Sequence, residues 1–254
     1  MREANLAVAS PGEGGVAEKS FLYESRVTCP VCRQEIKVTR VKQSRLPLVK
    51  RHTDFYEEYK GVDPNYYYIW VCSHCGYAAP EHTFDRLSPR DREAVAGALN
   101  GRRLKVDLGG ERDFDKALNS FKLALYCTGL RREPHGLLGA LYLRMAWLFR
   151  SRGGDEQEFL QKALEHFSLS YEQERGSREN LSQDALCYLL GELNRRLGRY
   201  EEAVRWFSRV ANDRSARPAL VKMARDQWQE AKVQSRAARG HPPGGGDSPV
   251  DAGS

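Results

Sequence analysis

"YYYIWVCSHCGYAA", residues 66–79, sets four aromatics beside a Cys-x-x-Cys pair. Taken alone, such a pair reads as a redox dithiol, as half of a metal site, or as a buried strand that contains cysteines. A second stretch, "TCPVCRQEIKV" at residues 28–38, repeats the spacing at Cys29 and Cys32, with 39 residues between Cys32 and Cys72. Two such pairs can surround one Zn2+ with the thiolates of Cys29, Cys32, Cys72 and Cys75, each pair forming a tight knuckle that points two sulfurs the same way. A thioredoxin-type dithiol would sit between a strand and a helix start, a context absent from this segment. With all four coordination positions filled by sulfur, no site is left for water or substrate, so the expected zinc is structural, one per chain. His52, His74 and His82 read as surface or capping residues beside it.

The flanks extend the reading. "QEIKVTRV" leaves the first knuckle as a strand-like run and "YYYIWV" enters the second, so the two are expected to run antiparallel from a shared metal end, as in a zinc ribbon. By the period-2 rule Tyr66, Tyr68 and Trp70 fall on one face and Tyr67, Ile69 and Val71 on the other. Gly76 after Cys75 allows the backbone angles of a knuckle, whereas Arg33 holds the equivalent place after Cys32. Residues 21–88 are too few for a generous core, and a structural zinc contributes about 10–16 kcal/mol of apparent binding free energy to such folds.

Outward from the cysteines the composition is that of a soluble protein: 254 residues, 41% hydrophobic, 29% charged, formal net charge +6. No run approaches the ~18 apolar residues of a membrane span, and "MREANLAVASPGEGG" lacks an apolar signal core, so a reducing cytoplasm is expected. There six cysteines favour metal chemistry over disulfides. Residues 1–20 and 236–254 read as disordered, being small, polar and rich in Gly and Pro. Ser88-Pro89 with acidic Asp91 and Glu93 reads as a helix start, which puts a domain boundary near residue 88.

"CPVCRQEIKVTRVKQSRLPLVKRHTDF" and "YKGVDPNYYYIWVCSHCGYAA" together resemble the N-terminal block of a group of uncharacterised bacterial proteins, domain-of-unknown-function family 2225. The resemblance covers residues 25–88 in detail and the following helices more loosely. It implies that Cys29, Cys32, Cys72 and Cys75 are the family's paired cysteines, and it implies a bacterial intracellular protein of two parts. No activity comes with it.

Residues 89–235 carry a repeat. "FDKALNSFKLA" (114–124), "LQKALEHFSLS" (160–170) and "YEEAVRWFSRV" (200–210) align without gaps and place Ala117, Ala163 and Ala203 four residues before Phe121, Phe167 and Phe207. A small residue and an aromatic at i and i+4 share one helix face, so a neighbouring helix can approach over the alanine. The pattern is similar to the second helix of a tetratricopeptide repeat, and the third copy matches best, with Leu190-Gly191 before it and Gly198 at the turn. In the middle copy Met145-Ala146 takes the place of Leu190-Gly191. The fold class expected is α+β, mostly α: a zinc-ribbon-like module, then a tetratricopeptide-like solenoid. Its leading or capping helices are expected at 135–151, 178–197 and 217–235.

Such stacks present a concave surface to peptides or proteins. Tyr188, Arg195 and Arg196 are the candidates to line it, and Cys127 and Cys187 read as small packed residues. The leading expectation is a non-enzymatic adaptor that binds a protein or peptide partner. The alternative is a nucleic-acid-binding zinc ribbon. It would use the run 33–51, where Arg33, Lys37, Arg40, Lys42, Arg45, Lys50 and Arg51 face Glu35 alone, beside Tyr66, Tyr68 or Trp70. No P-loop, nucleotide-binding glycine motif or nucleophile elbow is present to favour an enzyme.

Overall fold

The computed structural model describes residues 21–100, 108–131, 134–174 and 181–240. The ends expected to be disordered lie outside these, except that the last helix continues to Ala238, past the expected limit at 235.

Three antiparallel hairpins come first. β1 (Leu22–Thr28) pairs with β2 (Glu35–Val41), β3 (Leu48–Arg51) with β4 (Glu57–Tyr59), and β5 (Ile69–Val71) with β6 (Ala78–Pro80). The register of the first runs from Leu22 opposite Val41 to Thr28 opposite Glu35, and of the third from Ile69 opposite Pro80 to Val71 opposite Ala78. Each Cys-x-x-Cys therefore occupies the turn of its own hairpin. β2 and β5, the two runs expected to be antiparallel from a shared metal end, belong to separate hairpins and do not pair with each other. Closing a short turn across a knuckle costs far less chain entropy than joining strands nearly 30 residues apart, so each knuckle pairs with its own neighbours.

The aromatic run also differs. Asp63 accepts a hydrogen bond from the backbone N–H of Asn65, and Pro64 takes the first position of a 3-10 turn over Pro64–Tyr67, so the strand begins only at Ile69. Asp63-Pro64 is a helix-start signal of the same kind as Ser88-Pro89, and it overrides the β-branched and aromatic composition after it. All three residues of β5 are buried, so no face alternates towards solvent.

The helices are α1 (Pro89–Leu99), α2 (Phe114–Leu130), α3 (His135–Ser151), α4 (Gln157–Gln173), α5 (Gln183–Arg196), α6 (Tyr200–Asn212) and α7 (Pro218–Ala238). Ser88 caps α1, its hydroxyl accepting from the N–H of Asp91 at 3.1 Å. α3 packs on α4, α5 on α6 and α6 on α7, consecutive helices joined by short turns in which Gly153 and Gly198 take positive φ (67° and 74°).

The repeated positions form the helical interior. Ala117, Ala163 and Ala203 are fully buried, as are Phe121, Phe167 and Phe207. A Cβ placed on Gly191 would lie 2.7 Å from the Phe207 ring, and one on Gly139 would lie 2.7 Å from the Phe167 ring. The small residue facing Phe167 is thus Gly139. The Met145-Ala146 pair, which takes that place by alignment, lies elsewhere on α3, because α3 and α4 extend further from their turn than α5 and α6 do. Cys127 and Cys187 are buried among apolar neighbours, and burial pushes both thiols up from the ordinary value of 9.0.

The core is shared across residue 88. One apolar cluster runs from Cys29, Ile36 and Ile69 through Tyr77 and Phe84 to Phe121, Leu141 and Leu148. Arg112, just before α2, ties the two parts together. Its guanidinium donates to the carbonyls of Tyr66 (3.0 Å), Ile69 (2.8 Å) and Leu108 (2.9 Å), and its N–H donates to the Tyr67 hydroxyl (3.1 Å).

Candidate metal centre

The two knuckles are built alike. Cys29 N–H donates to the Gln34 carbonyl (2.9 Å) and Arg33 N–H to the Cys29 carbonyl (3.0 Å); Cys72 N–H donates to Tyr77 (2.8 Å) and Gly76 N–H to Cys72 (2.9 Å). Arg33 and Gly76 take the same left-handed conformation, φ 63° and 80°. The side chain that spoils the glycine pattern in sequence therefore does not spoil the turn; it adopts a strained backbone because the hairpin and the sulfurs on either side fix it.

These turns bring the four sulfurs of Cys29, Cys32, Cys72 and Cys75 within 4.8 Å of one another. Cys29 Sγ lies 3.7 Å from Cys75 Sγ, and Cys32 Sγ lies 3.6 Å from Cys72 Sγ, contacts that cross between the knuckles. A disulfide would need about 2.05 Å, whereas tetrahedral thiolates about 2.3 Å from a central ion stand roughly 3.8 Å apart. The spacing fits one four-coordinate metal. Backbone N–H groups of Val31 and Cys32 point at the Cys29 sulfur, and those of His74 and Cys75 at Cys72. Such donors stabilise thiolate charge.

Crowding four sulfurs also couples their ionisation. The Cys72 thiol is held down to about 2, chiefly by hydrogen bonds from Cys29 and Cys75, while Cys29 is pushed up to about 12, mainly by its bond to Cys72. Cys75 is pushed up further, by Cys29 first and then Cys72. A dication removes the conflict by letting all four ionise. His74 is exposed, and neither it nor His52 or His82 joins the sulfur cluster.

Of the three residues singled out on α5, Tyr188 and Arg196 meet this chain's own β3–β4 hairpin, and Arg195 turns to Glu192 and to Gln234 of α7. Tyr188 is fully buried, 5.3 Å ring to ring from Phe55 at the hairpin tip. Arg196 donates to Thr53 Oγ1 at 3.3 Å and to Glu192 at 2.7 Å; Arg195 donates to both oxygens of Glu192. The Asp54 carboxylate is fully buried and accepts from Arg150 (2.6 and 3.1 Å) and from Trp147 Nε1 (3.0 Å), with Arg196 3.6 Å away. Burial alone would raise its pKa, but the Arg150 hydrogen bonds, the charges of Arg196 and Arg150 and the Trp147 N–H outweigh burial and hold it below 3.8. Periodicity finds none of the partners of Asp54, since they are more than ninety residues away in sequence.

The basic run is partly neutralised where it lies. Lys37 is 3.4 Å from Glu24, Arg51 is 2.9 Å from Glu57, and Arg40 pairs with Glu81. Trp70 is buried, and Tyr66 and Tyr68 pack half-buried against the shared core. Among the described residues no helix is long and apolar enough to cross a membrane.

No curated protein and no solved structure matches this chain. The family profile described as "Uncharacterized protein conserved in bacteria (DUF2225)" matches residues 22–231, a span that takes in both cysteine knuckles and the helices as far as α7. With the paired hairpins, the sulfur cluster and all but the end of α7 inside that match, the chain belongs to this family of bacterial proteins.

Proposed function

We propose that the protein is a non-enzymatic, zinc-braced scaffold whose helices bind a protein or peptide partner. The observation that carries this reading is the recurrent contact of a glycine with a buried phenylalanine, Gly139 on Phe167 and Gly191 on Phe207. Contacts of this kind let successive helices stack closely, as tetratricopeptide-like repeats do, and such stacks serve as interaction surfaces. Zinc is the ion proposed for the sulfur site, since four thiolates in a closed tetrahedron suit its size and its lack of geometric preference. It would brace the hairpins that lie against α2 and α3. Nucleic-acid binding is the weaker reading, because Glu24, Glu57 and Glu81 offset the basic run and Trp70 is withdrawn from it.

The test has two measurements. Metal analysis of protein purified without chelator should return one zinc per chain, and Cys72→Ser should lower it; zinc-free wild-type protein would remove the metal half of the proposal. Capture from a lysate, with proximity crosslinking to map contacts, should place the partner on α3–α7. Binding should survive charge reversal at Lys42, Arg45 and Lys50. Tight nucleic-acid binding at physiological salt, abolished by those reversals and falling steeply with salt, would favour the alternative.

A further inference from the structure

A cavity of about 580 Å3 lies where the β3–β4 hairpin and the Pro64–Tyr67 turn meet α3, α4 and α5. Its size falls within the range of small-ligand sites, and its floor is apolar, formed by Leu137, Leu143, Leu186 and Leu189. One charged group is set into this wall differently from the rest. The Arg144 guanidinium lies face-on over the Tyr68 ring, 3.6 Å from its centroid, and 5.2 Å from the Trp147 ring. Asn65 holds Arg144 by side chain and backbone, Oδ1 accepting from Arg144 Nη1 at 3.1 Å and Nδ2 donating to the Arg144 carbonyl at 2.9 Å.

The carboxylates lining the same cavity are already engaged. Asp63 accepts from the Tyr56 hydroxyl (3.0 Å) and the Asn65 N–H (2.8 Å). Glu174 caps α3, accepting from the N–H groups of His135 and Gly136 and from the Ser170 hydroxyl. Asp54 is held by Arg150 and Trp147, and Glu57 by Arg51 and Tyr59. Among the described residues, no carboxylate lies within ion-pair distance of Arg144. Burial lowers the Arg144 pKa, even though Arg144 also has a side-chain hydrogen bond with Tyr68 and Asp63 acts on it through charge without direct contact. A cation desolvated in this way with no carboxylate in direct contact is costly, and an anion entering the cavity would relieve the cost.

We infer that this cavity binds a carboxylate attached to an apolar body, the carboxylate on the Arg144 fork and the body on the leucines of α3 and α5. A monoanion fits better than a phosphate. A guanidinium matches a carboxylate with two parallel N–H···O bonds, whereas a dianion would face Asp63 and Glu174 with a single cation to offset it. The chemistry occurs in the C-terminus of a protein chain ending in an apolar residue and in a free organic acid. The inference rests on the partner-binding reading above, and the C-terminus is the source consistent with it.

The probes are an acetylated Ala-Ala-Leu-Leu peptide as acid and as amide, octanoate, and inorganic phosphate, titrated calorimetrically into the full metal-loaded chain. The peptide acid should bind at least tenfold tighter than its amide, phosphate should not compete, and Arg144→Gln should erase the acid's advantage. Because Arg144→Gln removes a packed side chain, a second variant, Ala140→Trp, fills the cavity while leaving the guanidinium; it too should lose the acid. Acid and amide within twofold of each other, an acid preference that survives Arg144→Gln, or no binding by the peptides or octanoate would each overturn the inference. Tight octanoate with silent peptides supports the carboxylate site but removes the C-terminus as its ligand. A partner mapped to the helices whose affinity ignores both variants leaves the scaffold reading standing and overturns the cavity.

Discussion

At Gly191 a single hydrogen atom decides how closely two helices pack. A methyl there would sit 2.7 Å from the ring of Phe207, which is fully buried and has nowhere to turn. Gly191→Ala should therefore cost about 1–3 kcal/mol, measured by urea denaturation. Gly97 in α1 is the matched control: it is exposed, and a methyl added to it would meet nothing within 4 Å. Gly97→Ala should stabilise by about 0.5–1 kcal/mol, because alanine loses less backbone freedom in a helix. Effects of opposite sign at these two glycines would show that space, and not helix propensity, decides the outcome at Gly191. The i, i+4 spacing of Ala203 and Phe207 was legible in sequence, and so was the glycine of the third copy, Gly191, as part of the repeat, though not its contact with Phe207. In the second copy the glycine was not legible, since matching residues by spacing takes no account of how far α3 and α4 extend beyond their turn.

At the scale of elements, the β3–β4 hairpin is the feature sequence reading missed. Its tip, Thr53-Asp54-Phe55, reads as a polar turn, yet Asp54 is fully buried against Arg150 and Trp147. Phe55 adopts φ 69°, a costly backbone for an aromatic residue that the docking of the tip holds in place. Removing one partner of a buried pair leaves the other unpaired, so Asp54→Ala should cost about 3–5 kcal/mol and speed amide exchange across residues 48–59. The pH dependence follows from the lowered Asp54 pKa. The stabilisation is complete well above the ordinary value of 3.8 and is lost as pH falls below it towards the folded-state value. Wild-type stability should therefore drop more steeply with acid than that of Asp54→Ala, compared by denaturation from pH 7 to pH 2.

For the whole molecule, the continuous core changes what metal loss should do. If residues 21–88 were an independent unit, chelation would unfold them and leave the helices untouched. The apolar cluster instead runs from Cys29 to Leu148, and Arg112 bonds the carbonyls of Tyr66 and Ile69 to the start of α2. Stripping the metal with a strong chelator should thus raise hydrogen exchange in β1, β2, β5, β6, α2 and α3 together. α6 and α7 pack in a separate cluster with α5 and should keep most of their protection. Exchange confined to residues 21–88 would mean that the shared core is not cooperative.

Sequence by itself determined the four cysteines that cluster at a metal-compatible spacing, the helix start at Ser88-Pro89 and the recurring alanine and phenylalanine positions. Each is a local signal, a spacing of a few residues that fixes a turn, a cap or a helix face, and local geometry does not depend on what the chain meets later. Tertiary structure alone decided which strands pair, where the β3–β4 hairpin docks, and that Tyr188 and Arg196 face this chain's own Thr53, Asp54 and Phe55. Those outcomes depend on contacts between segments far apart in sequence. There the desolvation of a charge such as Asp54 or Arg144 is set by neighbours that no periodicity records.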